Sequence, residues 1–180
     1  IGPGLSKCDM ALKYVRYIAE RTDKKRLFDA DALNIIAGEH IDYKGSREGQ
    51  IIITPHIMEM SRLTGKTVAD IKEHMIESAK EYAIQHSCIC ILKDARTVVT
   101  DGQKVYINCT GNDGMSTGGC GDVLTGLIAG MTAMGLDAFE AACLSVYVHG
   151  KAGDYAASGK GRAGMTAADI SEAIAYVLKR

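Results

Sequence analysis

Apolar and polar positions follow two different patterns along this chain. Continuous apolar runs at residues 50–53 and 88–92 are typical of strands that are buried on both faces of a sheet, and residues 26–30 predict a further short strand. Between these strands, apolar residues recur at the helical spacing of three and four. The predicted helices are residues 9–21, 32–37, 59–63, 67–86, 122–134, 137–157 and 166–178.

Turn signals add further elements to this picture. Asp101 and Gly102 separate residues 96–100 from residues 104–108, and an Asp-Gly pair between two strand-like runs predicts a β-hairpin. Residues 38–49 are polar and predict a loop, whereas Ile1 predicts the end of a strand that runs into a glycine turn at Gly2 and Gly4. Strands separated by helices predict an α/β protein with a mostly parallel sheet, folded as one domain over residues 1–180.

The composition excludes several classes of function. The chain has 180 residues, enough for one well-formed core, and its net charge is −1. This balance favours neither nucleic acid nor an anionic membrane as a partner, and we expect no signal peptide and no membrane span. The six cysteines form no Cys-x-x-Cys pair. Zinc sites and disulfides are therefore not predicted, and a reducing cytoplasm is the expected location.

The stretch from Thr110 to Asp122 contains five glycines in thirteen residues and leads into the apolar helix predicted at 122–134. Glycines let the backbone approach a ligand closely, and a helix that begins at such a loop points unpaired N–H groups at an anion such as phosphate. Asp122 would lie in the first turn, where a carboxylate can take a proton from an attacking hydroxyl. A tight connection with a capping Asp is the structural alternative, but the number of glycines favours phosphate binding.

Polar side chains also follow two of the predicted strands. His56 follows residues 50–53, and Lys93 and Arg96 follow residues 88–92, at the strand ends where open α/β sheets bind their ligands. His56 there can donate a hydrogen bond to a substrate, and the two cations are good partners for phosphate. A structural histidine in a turn and a solvated basic turn are the alternatives.

Acidic residues near these strands have simpler explanations. Asp29 and Asp31 precede the helix predicted at 32–37, where helix capping is the first interpretation and binding of a metal or a sugar hydroxyl is the alternative. Glu59 is predicted to be a helix-surface or capping group. His149 and Asp154 share one face of the helix predicted at 137–157, which a buried polar histidine or an exposed helix face explains.

Several motifs occur in a fixed order along the chain. They lie at residues 1–5, 29–34, 53–59, 93–97, 110–126, 139–142 and 148–154. In this order they resemble the ADP/ATP-dependent NAD(P)H-hydrate dehydratases of the ribokinase-like superfamily, and the resemblance covers nearly the whole chain. It implies a three-layer α/β/α fold with the β-hairpin near the nucleotide site. It also implies that the chain corresponds to about the C-terminal two-thirds of the family's domain.

The resemblance implies an enzyme of cofactor repair. Such an enzyme dehydrates the (6S)-hydrate of NADH or NADPH to the intact cofactor, with ADP or ATP as the phosphate-donating co-substrate and Mg²⁺ on its phosphates. The hydroxyl of the hydrate would be phosphorylated, and the phosphate would then be eliminated. A homo-oligomer such as a tetramer is also implied.

Carried over by position, the resemblance implies roles for individual residues. Asp122 would be the catalytic base and would contact the hydrate together with Gly4 and His56. No residue is implied as a metal ligand. The implied nucleotide-binding residues are Lys93, Asp94, Ala95, Arg96, Thr97, Asn112, Asp113, Gly114, Met115, Ser116, Thr117, Gly118, Gly119, Cys120 and Gly121.

The chain departs from the family's pattern at three places. Ile57 and Met58 stand where the family commonly has Pro-Gly, which would alter the turn beside His56. Asp94 replaces a frequent Gly and places an anion near the expected nucleotide. Cys120 stands where Ser or Thr is usual, which removes a hydroxyl and leaves the backbone N–H groups.

Two other functions stay open at this point. A small-molecule kinase of the same superfamily, acting on a vitamin precursor or a sugar, would share the glycine-rich stretch and Asp122, although residues 54–56 and 112–115 speak against it. A nucleotide-binding fragment without catalysis would retain the adenine nucleotide without turning it over.

Overall fold

The computed structural model describes residues 1–21, 24–43 and 50–179. They fall into two compact units, one formed by Ile1–Asp94 with Val98–Tyr106 and the other by Ala95–Thr97 with Ile107–Arg180. The first unit contains nearly the whole sheet, and the second unit is mainly helical. Folding as one domain over residues 1–180 stays a prediction.

The sheet is mixed and has its strands in sequence order. The first three strands pair in parallel, and the fourth pairs antiparallel with the third. The α/β class is therefore confirmed. The fourth and fifth strands are hydrogen-bonded neighbours joined by residues 101–104, which confirms the β-hairpin predicted around Asp101 and Gly102. The strands are β1 (Arg26–Phe28), β2 (Ile51–Ile53), β3 (Ile89–Leu92), β4 (Val98–Thr100) and β5 (Val105–Ile107).

The described part of the first unit contains five helices: α1 (Asp9–Ala19), α2 (Ala30–Glu39), α3 (Ile57–Thr64), α4 (Val68–Glu73) and α5 (Met75–His86). They form a core with the strands, since side chains from both kinds of element lie in one buried cluster. Phe28 and Ile53 of the sheet are fully buried in that cluster, as are Leu33 of α2 and Met60 of α3. Burial of this apolar surface is the main stabilising term for the first unit.

Several predicted boundaries in this unit are wrong. The helix predicted at 67–86 is divided at His74, whose φ of −126° and ψ of 50° are not helical, and nothing in the sequence explains the break. Helix α2 extends to Glu39, so the predicted loop 38–49 begins later, and its residues 44–49 lie outside the described residues. Ile1 is not part of a strand, although its carbonyl accepts a hydrogen bond from the Asp29 N–H at 3.1 Å.

The second unit contains a short 3-10 helix (Asp113–Met115) followed by α6 (Cys120–Ala133), α7 (Ala138–Lys160) and α8 (Ala167–Val177). Its apolar cluster is built largely from small side chains, including Cys120, Ala152 and Ala173, around Met165 and Ile170. Small residues let these helices pack closely. Within the described ranges, no helix is long and apolar enough to cross a membrane.

Candidate functional site

Four polar side chains lie together where β1, β2 and β3 end. We call Asp29, His56, Glu59 and Lys93 the strand-end cluster. Asp29 follows β1 and Lys93 follows β3, while the Lys93 N–H donates to the carbonyl of Pro55 at 2.8 Å, beside His56. Because parallel strands finish at the same edge, residues far apart in sequence meet at the position where α/β sheets bind ligands.

Lys93 forms an ion pair that the sequence did not indicate. Its Nζ atom lies 2.9 Å from Oδ1 of Asp29, whose side chain is 1% exposed. Asp29 stands at the N-cap position of α2, but its side chain makes no capping hydrogen bond there. Capping, the first interpretation of Asp29, is therefore wrong, and the carboxylate pairs with the lysine instead. Ala30, the next residue, has a left-handed φ of 47°, a strain of the kind found at functional sites.

His56 is the N-cap of α3. Its Nδ1 accepts from the backbone N–H groups of Met58 and Glu59, at 3.1 and 3.2 Å, so the proton of the neutral ring lies on Nε2. Glu59 completes a capping box, because its Oε2 accepts from the His56 N–H at 2.9 Å. Nδ1 of His56 therefore has a structural role, as the alternative interpretation expected. Half of the side chain is exposed and can contact a ligand.

Glu59 is a capping group, as predicted, but it is buried rather than on the helix surface. Burial raises the pKa of its carboxyl group, and the His56 N–H and the positive charge of Lys93 partly oppose that shift. Its Oε1 lies 3.4 Å from Nε2 of His56. The carboxylate therefore helps to fix the orientation of the imidazole ring.

The glycine turn predicted near the N-terminus is present beside this cluster. The Leu5 N–H donates to the Gly2 carbonyl at 3.1 Å, and Gly4 has a left-handed φ of 65°. A side chain at Gly2 would overlap the Asp29 carbonyl, whereas a Cβ at Gly4 would meet no atom within 4 Å. Gly4 is exposed and open to a ligand.

We call Thr110–Gly121 the glycine-rich loop, and its first half is held by hydrogen bonds within the second unit. Asp154 of α7 accepts from the Gly111 N–H at 3.0 Å and from Nδ2 of Asn112 at 3.1 Å. Oδ1 of Asn112 accepts from the Gly114 N–H at 3.1 Å and caps the 3-10 helix. Sequence reasoning placed Asp154 on a helix face but missed this contact, because its partners lie 42 and 43 residues away.

The second half of the loop leads into α6. Gly119 is the N-cap with a left-handed φ of 89°, and as a glycine it offers no side chain to cap this end of the helix. The helix therefore directs backbone N–H groups and the positive end of its dipole outward. Asp122 lies in the first turn, as the sequence predicted, and it is exposed.

Cys120 begins α6 with its side chain turned inward. The side chain is buried against Ala152, Met165 and Ile170, and burial raises the pKa of its thiol. Its N–H makes only a long contact, 3.4 Å, with the Thr117 carbonyl. Any contact between Cys120 and a ligand is therefore expected to come from the backbone.

The remaining predicted nucleotide residues differ in their surroundings. Ser116, Thr117 and Gly118 are exposed at the loop, and a Cβ at Gly118 would meet no atom within 4 Å. Asp113 pairs with Arg162, another residue that the sequence analysis missed, at 3.1 Å between two exposed side chains. Such an exposed pair contributes little to stability.

The residues predicted after β3 fall into both units. Asp94, Ala95 and Arg96 are exposed. The Thr97 carbonyl accepts from the Asn108 N–H at 2.9 Å, which fixes one end of this segment in the second unit.

One cavity of the first unit lies away from all of these residues. It has a volume of about 150 Å³. Its lining includes Leu63, Thr64, Lys66, Ser78, Tyr82 and His86. The cavity belongs to the region of α3 and α5, and the candidate site does not depend on it.

Comparison with known proteins gives a consistent result. The Carb_kinase family model, described as NAD(P)H-hydrate dehydratase, matches residues 1–176. The chain is 45% identical over 181 residues to the bifunctional NAD(P)H-hydrate repair enzyme Nnr of Moorella thermoacetica, a match that covers 99% of this chain and 34% of that protein. It is 35% identical over 167 residues to the ADP-dependent (S)-NAD(P)H-hydrate dehydratase of Neisseria meningitidis, with 91% of this chain and 56% of that protein covered.

Solved structures agree with the sequence matches. The ADP/ATP-dependent NAD(P)H-hydrate dehydratase of Bacillus subtilis, co-crystallised with ATP/Mg²⁺, is 29% identical with a TM-score of 0.84, over 98% of this chain and 62% of that one. The chain thus spans about a third of the bifunctional relative and less than two thirds of the other two. The ribokinase-like fold implied by the sequence is confirmed, and the chain belongs to the NAD(P)H-hydrate dehydratase family.

Proposed function

We propose that the protein carrying this chain dehydrates the (6S)-hydrate of NADH or NADPH to the intact cofactor, with ADP or ATP as the phosphate donor. Two related enzymes bear names that state this activity and this nucleotide dependence. The observation that carries the proposal is the position of Asp122. Its exposed carboxylate lies in the first turn of α6, whose N-terminus follows the glycine-rich loop.

The first chemical step is a phosphoryl transfer. Asp122 accepts the proton of the hydroxyl on C6 of the hydrate while that oxygen attacks the terminal phosphorus of the nucleotide. The bond from that phosphorus to its bridging oxygen breaks, so ATP gives ADP, or ADP gives AMP. Backbone N–H groups at the start of α6 stabilise the negative charge on the transferred group.

The second step is an elimination. Phosphate leaves C6 with the electron pair of the C–O bond, and the lone pair of the ring nitrogen replaces those electrons. Loss of a proton from C5 then forms the C5–C6 double bond of the dihydronicotinamide. The products are NADH or NADPH, inorganic phosphate, AMP or ADP, and a proton.

The other predicted residues have supporting roles in this proposal. Gly4 and His56 contact the hydrate, His56 through the exposed part of its ring, since Nδ1 is occupied by the cap of α3. The adenine nucleotide lies against Lys93–Thr97 and Asn112–Gly121. Lys93 has two tasks, because its ammonium group also pairs with Asp29.

Mg²⁺ enters this proposal with the nucleotide. No group of three His, Cys, Asp or Glu residues suited to a metal occurs among the described residues, and Mg²⁺ is commonly bound through substrate phosphates with few protein ligands. It would neutralise phosphate charge during the transfer. We also propose a cytoplasmic location and a homo-oligomer, and expect neither nucleic acid nor membrane as a partner.

The test follows absorbance at 340 nm while (6S)-NADH hydrate is mixed with the full gene product, Mg²⁺ and either ADP or ATP. We expect NADH to appear with at least one nucleotide and to appear about 10²–10⁴-fold more slowly with Asp122→Asn, as for loss of a general base. Glu172→Gln, which removes an exposed carboxylate from α8, is the control and should retain full activity.

The outcomes separate this function from its alternatives. Absence of NADH with both nucleotides would refute the dehydratase. Phosphorylation of a small alcohol without dehydration would favour a kinase, and tight nucleotide binding without any turnover would favour a binding module.

A further inference from the structure

One face of α7 holds the first half of the glycine-rich loop. Gly153 and Asp154 lie three and four residues after Gly150 and therefore share a helical face with it. A Cβ at Gly150 would come within 2.8 Å of the Thr110 carbonyl, and a Cβ at Gly153 would come within 2.8 Å of Cγ of Met115. The two glycines thus let the loop backbone and Met115 lie directly on the helix.

Asp154 adds hydrogen bonds to this contact. Its two carboxylate oxygens accept from the Gly111 N–H and from Nδ2 of Asn112, at 3.0 and 3.1 Å. The amide of Asn112 is thereby oriented so that its Oδ1 accepts from the Gly114 N–H at 3.1 Å. One carboxylate therefore sets the backbone on both sides of Asn112.

We propose that Asp154 is a positioning residue, which fixes the conformation of the glycine-rich loop and thereby its affinity for the adenine nucleotide. This inference rests on the proposed function, in which residues 112–121 bind that nucleotide. Asp154 itself does not touch the reacting atoms in this proposal. Its effect passes through Gly111, Asn112 and Gly114.

The hydrogen bonds between Asp154 and residues 111–112 allow a reciprocal test. In Asp154→Asn, an amide nitrogen faces a donor, either Nδ2 of Asn112 or the Gly111 N–H, so one hydrogen bond is lost. In Asn112→Asp, two carboxylates face each other at about 3 Å and repel. In the double variant N112D/D154N, the new amide donates to the new carboxylate, and acceptors remain for the N–H groups of Gly111 and Gly114.

The experiment measures nucleotide dissociation constants and KM values for the full gene product, its single variants and the double variant. We expect each single variant to weaken nucleotide binding by about tenfold or more, as for loss of a hydrogen bond to a charged group. The KM for the hydrate should change by less than about twofold, and the double variant should bind the nucleotide more tightly than Asn112→Asp, which carries the same new charge at position 112. Glu140→Gln removes an exposed charge from the same helix and serves as the control.

Amide hydrogen exchange at Gly111 and Gly114 reports on the hydrogen bonds that hold the loop and does not rely on activity. We expect faster exchange in both single variants and recovery in the double variant. Unchanged exchange in Asp154→Asn, unchanged nucleotide affinity in the single variants, or a double variant no better than Asn112→Asp would each overturn the inference. If the unmodified protein binds no nucleotide, the proposed function fails first and this role of Asp154 fails with it.

Discussion

The ion pair between Asp29 and Lys93 predicts a strong energetic coupling at the strand-end cluster. At 2.9 Å and an effective dielectric constant of about 20, the attraction between the two charges is about 6 kcal/mol before desolvation is subtracted. Breaking a buried ion pair typically costs about 3–5 kcal/mol. The Lys93 side chain is 21% exposed, so the pair is not fully buried. We therefore expect Lys93→Met to lower the free energy of unfolding by about 3 kcal/mol, the lower end of that range.

The assay is a double-mutant cycle by urea denaturation with Lys93→Met, Asp29→Asn and the double variant. Removing both charges restores neutrality at the site, so the double variant should be less destabilised than the sum of the single variants by about 2 kcal/mol. The pair between Lys66 and Glu81 provides the control, since its atoms are 2.6 Å apart but the two side chains are 40% and 66% exposed. Its coupling should stay below about 1 kcal/mol. Additive effects at Asp29 and Lys93, within about 0.5 kcal/mol, would refute the reasoning.

Three further predictions concern single substitutions. Gly118→Ala should change the free energy of unfolding by less than about 1 kcal/mol, because a Cβ there meets no atom within 4 Å. It should still weaken nucleotide binding, measured by calorimetry, and unchanged binding would contradict the proposed contact. Glu59→Gln preserves the capping box but removes a carboxyl group whose pKa burial raises above its ordinary 4.5. The cost of ionising Glu59 is absent below pH 4.5 and complete above the raised pKa, so the stability of the variant relative to wild type should increase as pH rises through that window. A pH-independent difference in urea titrations would contradict this assignment. Gly153→Ala should destabilise the protein by about 1–3 kcal/mol, because the new Cβ overlaps Met115. Gly159→Ala on the same helix, where a Cβ meets no atom within 4 Å, is the control. Equal denaturation midpoints for the two variants would contradict the predicted overlap with Met115.

Local patterns in the sequence were sufficient for most elements and for the start of α6. Continuous apolar runs marked β2 and β3, and the Asp-Gly pair marked the hairpin. Gly119 adopts the left-handed conformation that a glycine before a helix suggests, and Asp122 lies in the first turn as expected. These features depend on neighbours along the chain, which a single sequence contains.

The contacts that organise the candidate site depend on residues that are distant along the chain. Lys93 and Asp29 are 64 residues apart, and Asp154 lies 42 residues from Asn112. The capping role of His56 was missed for a different reason, because serine, threonine, aspartate and asparagine are the usual N-caps and histidine is not. The break at His74 involves neither glycine nor proline, so no local signal marked it.

The most direct test of the central claim traces the oxygen of the hydrate. We would prepare (6S)-NADH hydrate with ¹⁸O in its C6 hydroxyl, mix it with the full gene product, Mg²⁺ and the preferred nucleotide, and analyse the released phosphate by mass spectrometry. Phosphorylation of the hydroxyl followed by elimination predicts one ¹⁸O atom in each phosphate and one phosphate for each NADH formed. Release of the label as water, or hydrolysis of the nucleotide without NADH formation, would contradict the account.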